Sequence, residues 1–149
     1  MNPSQDHLNR ALHICRYLAG TSDYTLVYSG HSNKGLFACA DSDWASNPVD
    51  RRSTTGYMVK LADGIFSWNS RAQHTVALSS TEAEYMSLPD ISRQLVWIKV
   101  LLSELGIEMG PIPLCGDNQG SIFMALNPVQ ECRIKHIDIR YHYIQEVVQ

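Results

Sequence analysis

Apolar residues recur every three or four positions in two long stretches of the chain, which is the spacing of one helical face. The first stretch covers residues 8–18 and predicts a helix that Gly20 ends. The second covers residues 81–105, and a glycine follows its end. Either Ser79-x-x-Glu82 or Thr81-x-x-Glu84 can form the capping box of this second helix, and Pro89 within it predicts a kink or a break.

Five shorter runs are rich in β-branched, aromatic and other apolar residues, which is typical of strands. Two of them are joined by Asp63-Gly64, a pair that type I′ hairpin turns favour. Two further helices are predicted near the end of the chain, one reaching residue 126 and one over residues 136–148. The five predicted strands are residues 24–28, 35–40, 55–62, 65–68 and 112–116.

The order of these elements predicts the fold class. Antiparallel strands joined by short turns precede the long helix, and that helix allows the strand after it to lie parallel to an earlier one. We therefore expect an α/β fold with a mixed five-stranded sheet, an antiparallel meander plus parallel strands, flanked by helices.

Length and composition limit the classes of protein to consider. The chain has 149 residues, 44% of them hydrophobic and 18% charged, which indicates one globular domain. A formal net charge of −3 argues against strong free-standing affinity for nucleic acid. The four cysteines form no C-x-x-C pair, so neither a zinc site nor a disulfide framework is indicated. The sequence shows neither a signal pattern nor the run of about 18 apolar residues that a membrane span needs, so we expect an intracellular protein without a membrane partner.

Acidic residues stand at the ends or beginnings of four separate predicted elements. If a sheet brings those ends together, their charges repel one another and need cations to neutralise them. Carboxylate oxygens suit Mg²⁺ or Mn²⁺, and two such ions about 4 Å apart form the clamp used for in-line displacement at phosphorus. Any one acid alone is more often a solvated turn residue or the start of a helix. The acids in question are Asp41, Asp43, Glu82, Glu84, Asp117 and Asp138.

Five motifs, in matching order and spacing, resemble those of the ribonuclease H domain of copia-type retrotransposons. The resemblance covers most of the chain, residues 23–148. The motifs are Ala40-Asp41-Ser42-Asp43-Trp44-Ala45, Arg51-Arg52-Ser53-Thr54-Thr55-Gly56-Tyr57, Ser79-Ser80-Thr81-Glu82-Ala83-Glu84-Tyr85, Gly116-Asp117-Asn118-Gln119 and Lys135-His136-Ile137-Asp138-Ile139-Arg140-Tyr141-His142.

The metal-binding acids are assigned only through this resemblance. It implies a ribonuclease H-like fold for residues 23–149 and identifies residues 1–22 as the tail of a reverse transcriptase connection region. It also implies two Mg²⁺ or Mn²⁺ ions as cofactors, and no small-molecule cofactor. Strand alternation does not separate Asp41 from Asp43, and helical spacing does not prefer Glu84 to Glu82, so both choices depend on the family. The four implied catalytic and metal-binding residues are Asp41, Glu84, Asp117 and Asp138.

The implied activity is hydrolysis of the RNA strand of RNA·DNA hybrids during retroelement reverse transcription, leaving 5′-phosphate and 3′-hydroxyl ends. Ser80, Thr81 and Gln119 match positions that contact the RNA strand, although Ser80 and Thr81 can equally cap the helix. Arg51 and Arg52 can hold a phosphate of the DNA strand or lie in a solvated connection.

The resemblance also sets expectations about partners and location. The implied partners are the hybrid and the reverse transcriptase domain of the same polyprotein. The implied location is the cytoplasm, within a virus-like particle, or the nucleus. The alternative function is a non-catalytic or domesticated nucleic-acid-binding module of the same fold.

Overall fold

The computed structural model describes residues 3–28, 35–127 and 143–144. No helix within these ranges is long and apolar enough to cross a membrane. In chain order the elements are helix α1 (Gln5–Gly20), strands β1 (Phe37–Asp43), β2 (Thr54–Leu61) and β3 (Gly64–Ala72), helix α2 (Ser80–Glu104), strand β4 (Leu114–Cys115) and helix α3 (Gln119–Leu126).

The strands form one mixed sheet in the order β3-β2-β1-β4. β1, β2 and β3 make an antiparallel meander, and β4 lies parallel to β1. The predicted α/β class and the mixed sheet are therefore confirmed. The described residues contribute four strands to this sheet and not the predicted five, because residues 24–28 do not form a strand.

Residues 24–28 contact the β2–β3 hairpin through a side chain and not through a backbone ladder. The Tyr28 hydroxyl donates to the carbonyl oxygen of Ile65 at 2.6 Å. The Tyr28 ring lies so close to Gly64 that a Cβ there would collide with it. Tyr24 and Val27 stay exposed. A strand at residues 24–28 would bury little apolar surface, so the strand-like composition of this run led to a wrong prediction.

The turn between β2 and β3 comes one residue earlier than the Asp63-Gly64 pair indicates. Ala62 and Asp63 have φ values of 50° and 68°, and positive φ at both central residues defines a type I′ turn. Leu61 and Gly64 pair on either side of these two residues. The predicted hairpin is thus confirmed, with its turn shifted by one residue.

Helix α2 covers one face of the sheet and supplies much of the core. Its Tyr85 and Ile91 are fully buried and belong to the same apolar cluster as Ala38 of β1 and Val59 of β2. This packing fixes the position of α2 over β1 and β2. The first turns of α2 therefore lie where β1 ends.

The ends of α2 follow the predicted signals. The Ser79 side chain accepts a hydrogen bond from the backbone amide of Glu82, so Ser79 is the N-cap, while the Glu82 carboxylate accepts from the amide of Leu78 and does not complete the capping box. Gly106 follows the helix with φ 77°, in the left-handed region that favours glycine. Of the predicted kink or break at Pro89, the break is absent, because α2 continues through this residue. Pro89 is fully buried, and its packing offsets the missing backbone hydrogen bond.

The two terminal helices differ in how much of them is described. The predicted first helix is confirmed as α1, which buries none of its residues and packs against no other described helix or strand. Of the predicted helix over residues 136–148, only Tyr143 and Ile144 lie within the described residues, and Ile144 belongs to the core. The boundary at residues 22 and 23 stays a prediction.

Candidate metal centre

Three carboxylates from three separate elements converge at one edge of the sheet. Asp41 lies near the end of β1, Glu84 in the second turn of α2, and Asp117 two residues beyond β4. One oxygen of each carboxylate lies within 4.8 Å of the others. Asp41 and Asp117 are exposed, whereas Glu84 is buried. The parallel pairing of β1 with β4 produces this convergence, because it places the C-terminal ends of both strands side by side.

The backbone of β1 holds Glu84 in this cluster. The amide of Ala38 donates to the Pro113 carbonyl on the β4 side, and the two-residue period of a strand points the amide of Ser42 in the same direction. β4 stops at Cys115, before it could supply a carbonyl opposite Ser42. Glu84 Oε1 accepts this amide instead, at 3.1 Å. The early end of β4 thus creates the place that the Glu84 carboxylate occupies.

The sequence pattern left two pairs of acids undecided, and the geometry places one member of each pair in the cluster. Glu82 turns back to cap its own helix, and its Oε2 accepts from the amide of Leu78 at 2.8 Å. The cluster of described residues contains Glu84 and not Glu82, and Asp41 and not the exposed Asp43. These are the choices that the family resemblance implied.

The electrostatics of the cluster favour a cation. Burial is the largest cause that raises the pKa of Glu84, to about 7, and the nearby charges of Asp41 and Asp117 raise it as well. The hydrogen bond from the Ser42 amide acts in the opposite direction. A carboxyl group that is hard to ionise beside two others is the arrangement that a divalent cation relieves. Three carboxylate oxygens at this spacing also suit a hard, oxygen-binding ion, so the residues fit Mg²⁺ or Mn²⁺.

The residues predicted to contact RNA lie at the beginnings of two helices. Ser80 and Gln119 are the exposed first residues of α2 and α3. Thr81 packs against Gly120, where a Cβ would stand 2.9 Å from Thr81 Cγ2. The glycine therefore allows the two helix N-termini to meet beside the acids. The cap of α2 is Ser79, so the hydroxyl groups of Ser80 and Thr81 are not used as the N-cap.

The remaining predicted site residues lie outside the cluster of three acids. Arg51 and Arg52 are exposed in the connection between β1 and β2. Arg51 has φ 59°, and the Nε of Arg52 lies 3.5 Å from Oδ2 of Asp50. Asp138, the fourth implied acid, falls outside the described residues.

One polar residue beside the site had no signal in the sequence. Gln73 is 5% exposed, and its Nε2 lies within hydrogen-bond distance of Ser42 Oγ, Thr55 Oγ1 and the Ala83 carbonyl oxygen, at 3.2, 3.0 and 2.9 Å. A single glutamine just after a strand carries no pattern that indicates burial. Only the packing of the sheet against α2 shows its position.

Comparisons with known proteins decide the family. The retrovirus-related Pol polyprotein from transposon RE2 of Arabidopsis thaliana is 43% identical over 149 residues, 99% of this chain. That from transposon TNT 1-94 of Nicotiana tabacum is 38% identical over 147 residues, again 99% of this chain. The chain belongs to the copia-type Pol polyprotein family. It spans 10% and 11% of the length of these two polyproteins.

Further comparisons of this Pol-family chain do not change its family assignment. The secreted RxLR effector protein 161 of Plasmopara viticola is 41% identical over 99 residues, 66% of this chain and 70% of that protein. No family model matches the chain. The crystal structure of RNase H1 from Halobacterium salinarum is similar with a TM-score of 0.46 and 17% identity, covering 77% of each chain. The family assignment rests on the sequence relatives, and it confirms the predicted resemblance.

Proposed function

We propose that this chain is the ribonuclease H of its polyprotein and hydrolyses the RNA strand of RNA·DNA hybrids, leaving 5′-phosphate and 3′-hydroxyl ends. The observation that carries the proposal is the convergence of Asp41, Glu84 and Asp117, with oxygens within 4.8 Å of one another. Hydrolysis at phosphorus by metal ions needs such carboxylates and no nucleophilic side chain. Membership of the Pol family supports this choice among the phosphoryl-transfer reactions.

The chain's own residues would hold the metal ions. Asp41, Glu84 and Asp117 supply the described ligands, and Asp138 is the proposed fourth. Because the Ser42 amide donates to Glu84 Oε1, the carboxylate is oriented before any ion arrives and loses less freedom at binding. Bound Mg²⁺ or Mn²⁺, two ions in this proposal, would supply an activated water and stabilise the leaving oxygen.

Recognition of the RNA strand is assigned to the beginnings of α2 and α3. Hydroxyl and amide groups at Ser80, Thr81 and Gln119 can donate to and accept from a 2′-hydroxyl, which DNA lacks. The first turns of both helices also carry the positive end of the helix dipole, which favours a nearby phosphate. Arg51 and Arg52 are assigned to a phosphate of the DNA strand, as exposed cations near the end of β1.

The proposed partner within the polyprotein is the reverse transcriptase that precedes this segment. A net charge of −3 provides little general attraction to nucleic acid, so a tethered domain that already binds the hybrid would raise its local concentration. The exposed apolar residues of α1 fit a contact with that domain. They include Leu8, Leu12, Ile14 and Leu18.

The test is a cleavage assay with three substrates of one sequence: an RNA·DNA hybrid, double-stranded RNA and double-stranded DNA. With Mg²⁺ or Mn²⁺ we expect cleavage of the hybrid RNA strand by the parent, none in chelator, and near-abolition by Glu84→Gln. Glu82→Gln is the matched control, since Glu82 lies two residues before Glu84 on α2 but caps the helix, and we expect it to cleave.

Several outcomes would contradict the proposal. Cleavage of double-stranded DNA alone would indicate a different nuclease. Binding of the hybrid without cleavage in any metal would favour the non-catalytic module.

A further inference from the structure

Gln73 is placed between the two elements that carry Asp41 and Glu84. It directly follows β3, and its backbone amide donates to the Ser53 carbonyl at 2.8 Å, which extends the β2–β3 ladder by one step. Its side chain is 5% exposed and reaches from the sheet to α2. Gln73 is thus held by its own backbone, and its side chain lies between the sheet and α2 beside the acidic cluster.

The contacts of the side chain fix which way the amide faces. A backbone carbonyl can only accept, so the 2.9 Å contact with the Ala83 oxygen requires the NH₂ group of Gln73 on that side. The hydroxyls of Ser42 and Thr55 lie at 3.2 and 3.0 Å from the same nitrogen. Two hydrogens face three oxygens, so the donor capacity of the amide is fully used.

The oxygen of the same amide differs from the nitrogen. Gln73 Oε1 is buried and finds no hydrogen-bond donor among the residues that the structure describes. A buried acceptor without a partner lowers stability, so the oxygen gives glutamine no advantage here over a side chain that lacks one. What distinguishes glutamine at this position is the set of contacts that its NH₂ group makes.

The residues that Gln73 connects are the immediate neighbours of two acids. Ser42 follows Asp41 and donates its backbone amide to Glu84, and Ala83 precedes Glu84. We propose that Gln73 is a positioning residue of the metal centre, which ties β1 to α2 so that the Asp41 and Glu84 carboxylates are held together before the metal binds. The proposal rests on the proposed function for the identity of that centre.

The first measurement needs no metal. In Gln73→Met, which keeps the length of the side chain but has no donor, we expect the backbone amide of Ser42 to exchange with solvent at least about tenfold faster relative to the amide of Ile98. Ile98 is a buried residue in the C-terminal half of α2, so the ratio cancels any change in global stability. Ser92→Ala, which removes a buried hydroxyl elsewhere on α2, should leave the ratio as in the parent.

The second measurement is Mn²⁺ binding by calorimetry. We expect Gln73→Met to weaken affinity by about tenfold, the size typical of a lost residue behind a metal ligand, and Ser92→Ala to bind like the parent. A parent-like value in either measurement overturns the proposal, since a purely structural glutamine would lower melting without these local effects. If the parent itself binds no Mn²⁺, the proposed function fails, and the exchange ratio alone decides whether Gln73 positions the acids.

A second variant covers the case in which Gln73→Met does not fold. Ser42→Ala removes one contact of the amide and keeps the backbone donor to Glu84. We expect it to show the same two changes to a smaller extent. Unchanged exchange and unchanged Mn²⁺ affinity in Ser42→Ala would overturn the proposal.

Discussion

Replacing Glu84 with glutamine should change how the stability of the metal-free protein depends on pH. Burial raises the pKa of this carboxyl from 4.5 to about 7 in the folded state. Between these two values the folded chain keeps a proton that the unfolded chain has lost. The free energy of unfolding therefore falls as the pH rises through this window, and the loss is complete above about pH 7. Glutamine carries no such proton and should remove this contribution.

The magnitude follows from the size of the pKa rise. Each pKa unit corresponds to about 1.4 kcal/mol, so the full rise corresponds to about 3 kcal/mol. The Glu84 residue is 8% exposed, but its carboxylate faces two exposed acids, so solvent screening lowers this figure. The side-chain oxygen of glutamine can still accept from the Ser42 amide, so the substitution removes the charge and keeps the hydrogen bond.

Urea denaturation in chelator at pH 5 and pH 8 measures this effect. Between these two pH values, the free energy of unfolding of Glu84→Gln should rise by about 2 to 3 kcal/mol relative to the parent. Glu82→Gln controls for the loss of a buried carboxylate two residues earlier on the same helix. Equal pH dependence of the parent and Glu84→Gln would refute the reasoning, as would an equal relative gain in Glu82→Gln.

Three further predictions concern the same region. Asp117→Asn should melt higher than the parent in chelator and gain less from Mn²⁺, because it removes both a repelling charge and a ligand; identical responses of the two proteins would contradict this. Gln119→Ala should slow cleavage of the hybrid in a gel assay and leave the Mn²⁺ affinity measured by calorimetry unchanged. Unimpaired cleavage would exclude a role of Gln119 in reading RNA. Gly120→Ala should lower the free energy of unfolding by about 1 to 3 kcal/mol in urea, since its Cβ would stand 2.9 Å from Thr81 Cγ2, and parent-like stability would show that the helices yield freely.

Local patterns were sufficient for much of the fold. Capping at Ser79 and the positive φ of Gly106 follow from short-range chemistry, and the structure has both. The order of strands and helices likewise predicted that the strand after α2 could lie parallel to an earlier one, and β4 does so beside β1. The strand predicted for residues 24–28 does not form, because a strand needs a neighbouring backbone to pair with, and Tyr28 contacts the hairpin through its ring and hydroxyl. Nothing in the composition of this run indicates which contact it makes.

The site shows the same division between local and non-local causes. Asp41 lies near the end of one strand and Asp117 just beyond another, and the pattern could locate both strands. The choice of Glu84 over Glu82 depends on β4 ending before it reaches the level of Ser42, which leaves one amide for a carboxylate to satisfy. Gln73 depends on three contacts with residues 10 to 31 positions away. Neither feature has a local sequence signal, and the family resemblance alone anticipated the first.

Titration of the protein with Mn²⁺ tests the metal centre most directly, with binding heat as the signal at pH 8, where Glu84 is ionised. We expect the parent to bind, and Asp41→Asn, Glu84→Gln and Asp117→Asn each to lose most of that affinity. Asp43→Asn is the matched control, because Asp43 lies on the same face of β1 outside the cluster, and it should bind like the parent. Equal Mn²⁺ affinity in the parent and in the three cluster variants would contradict the assignment of these acids as the metal centre.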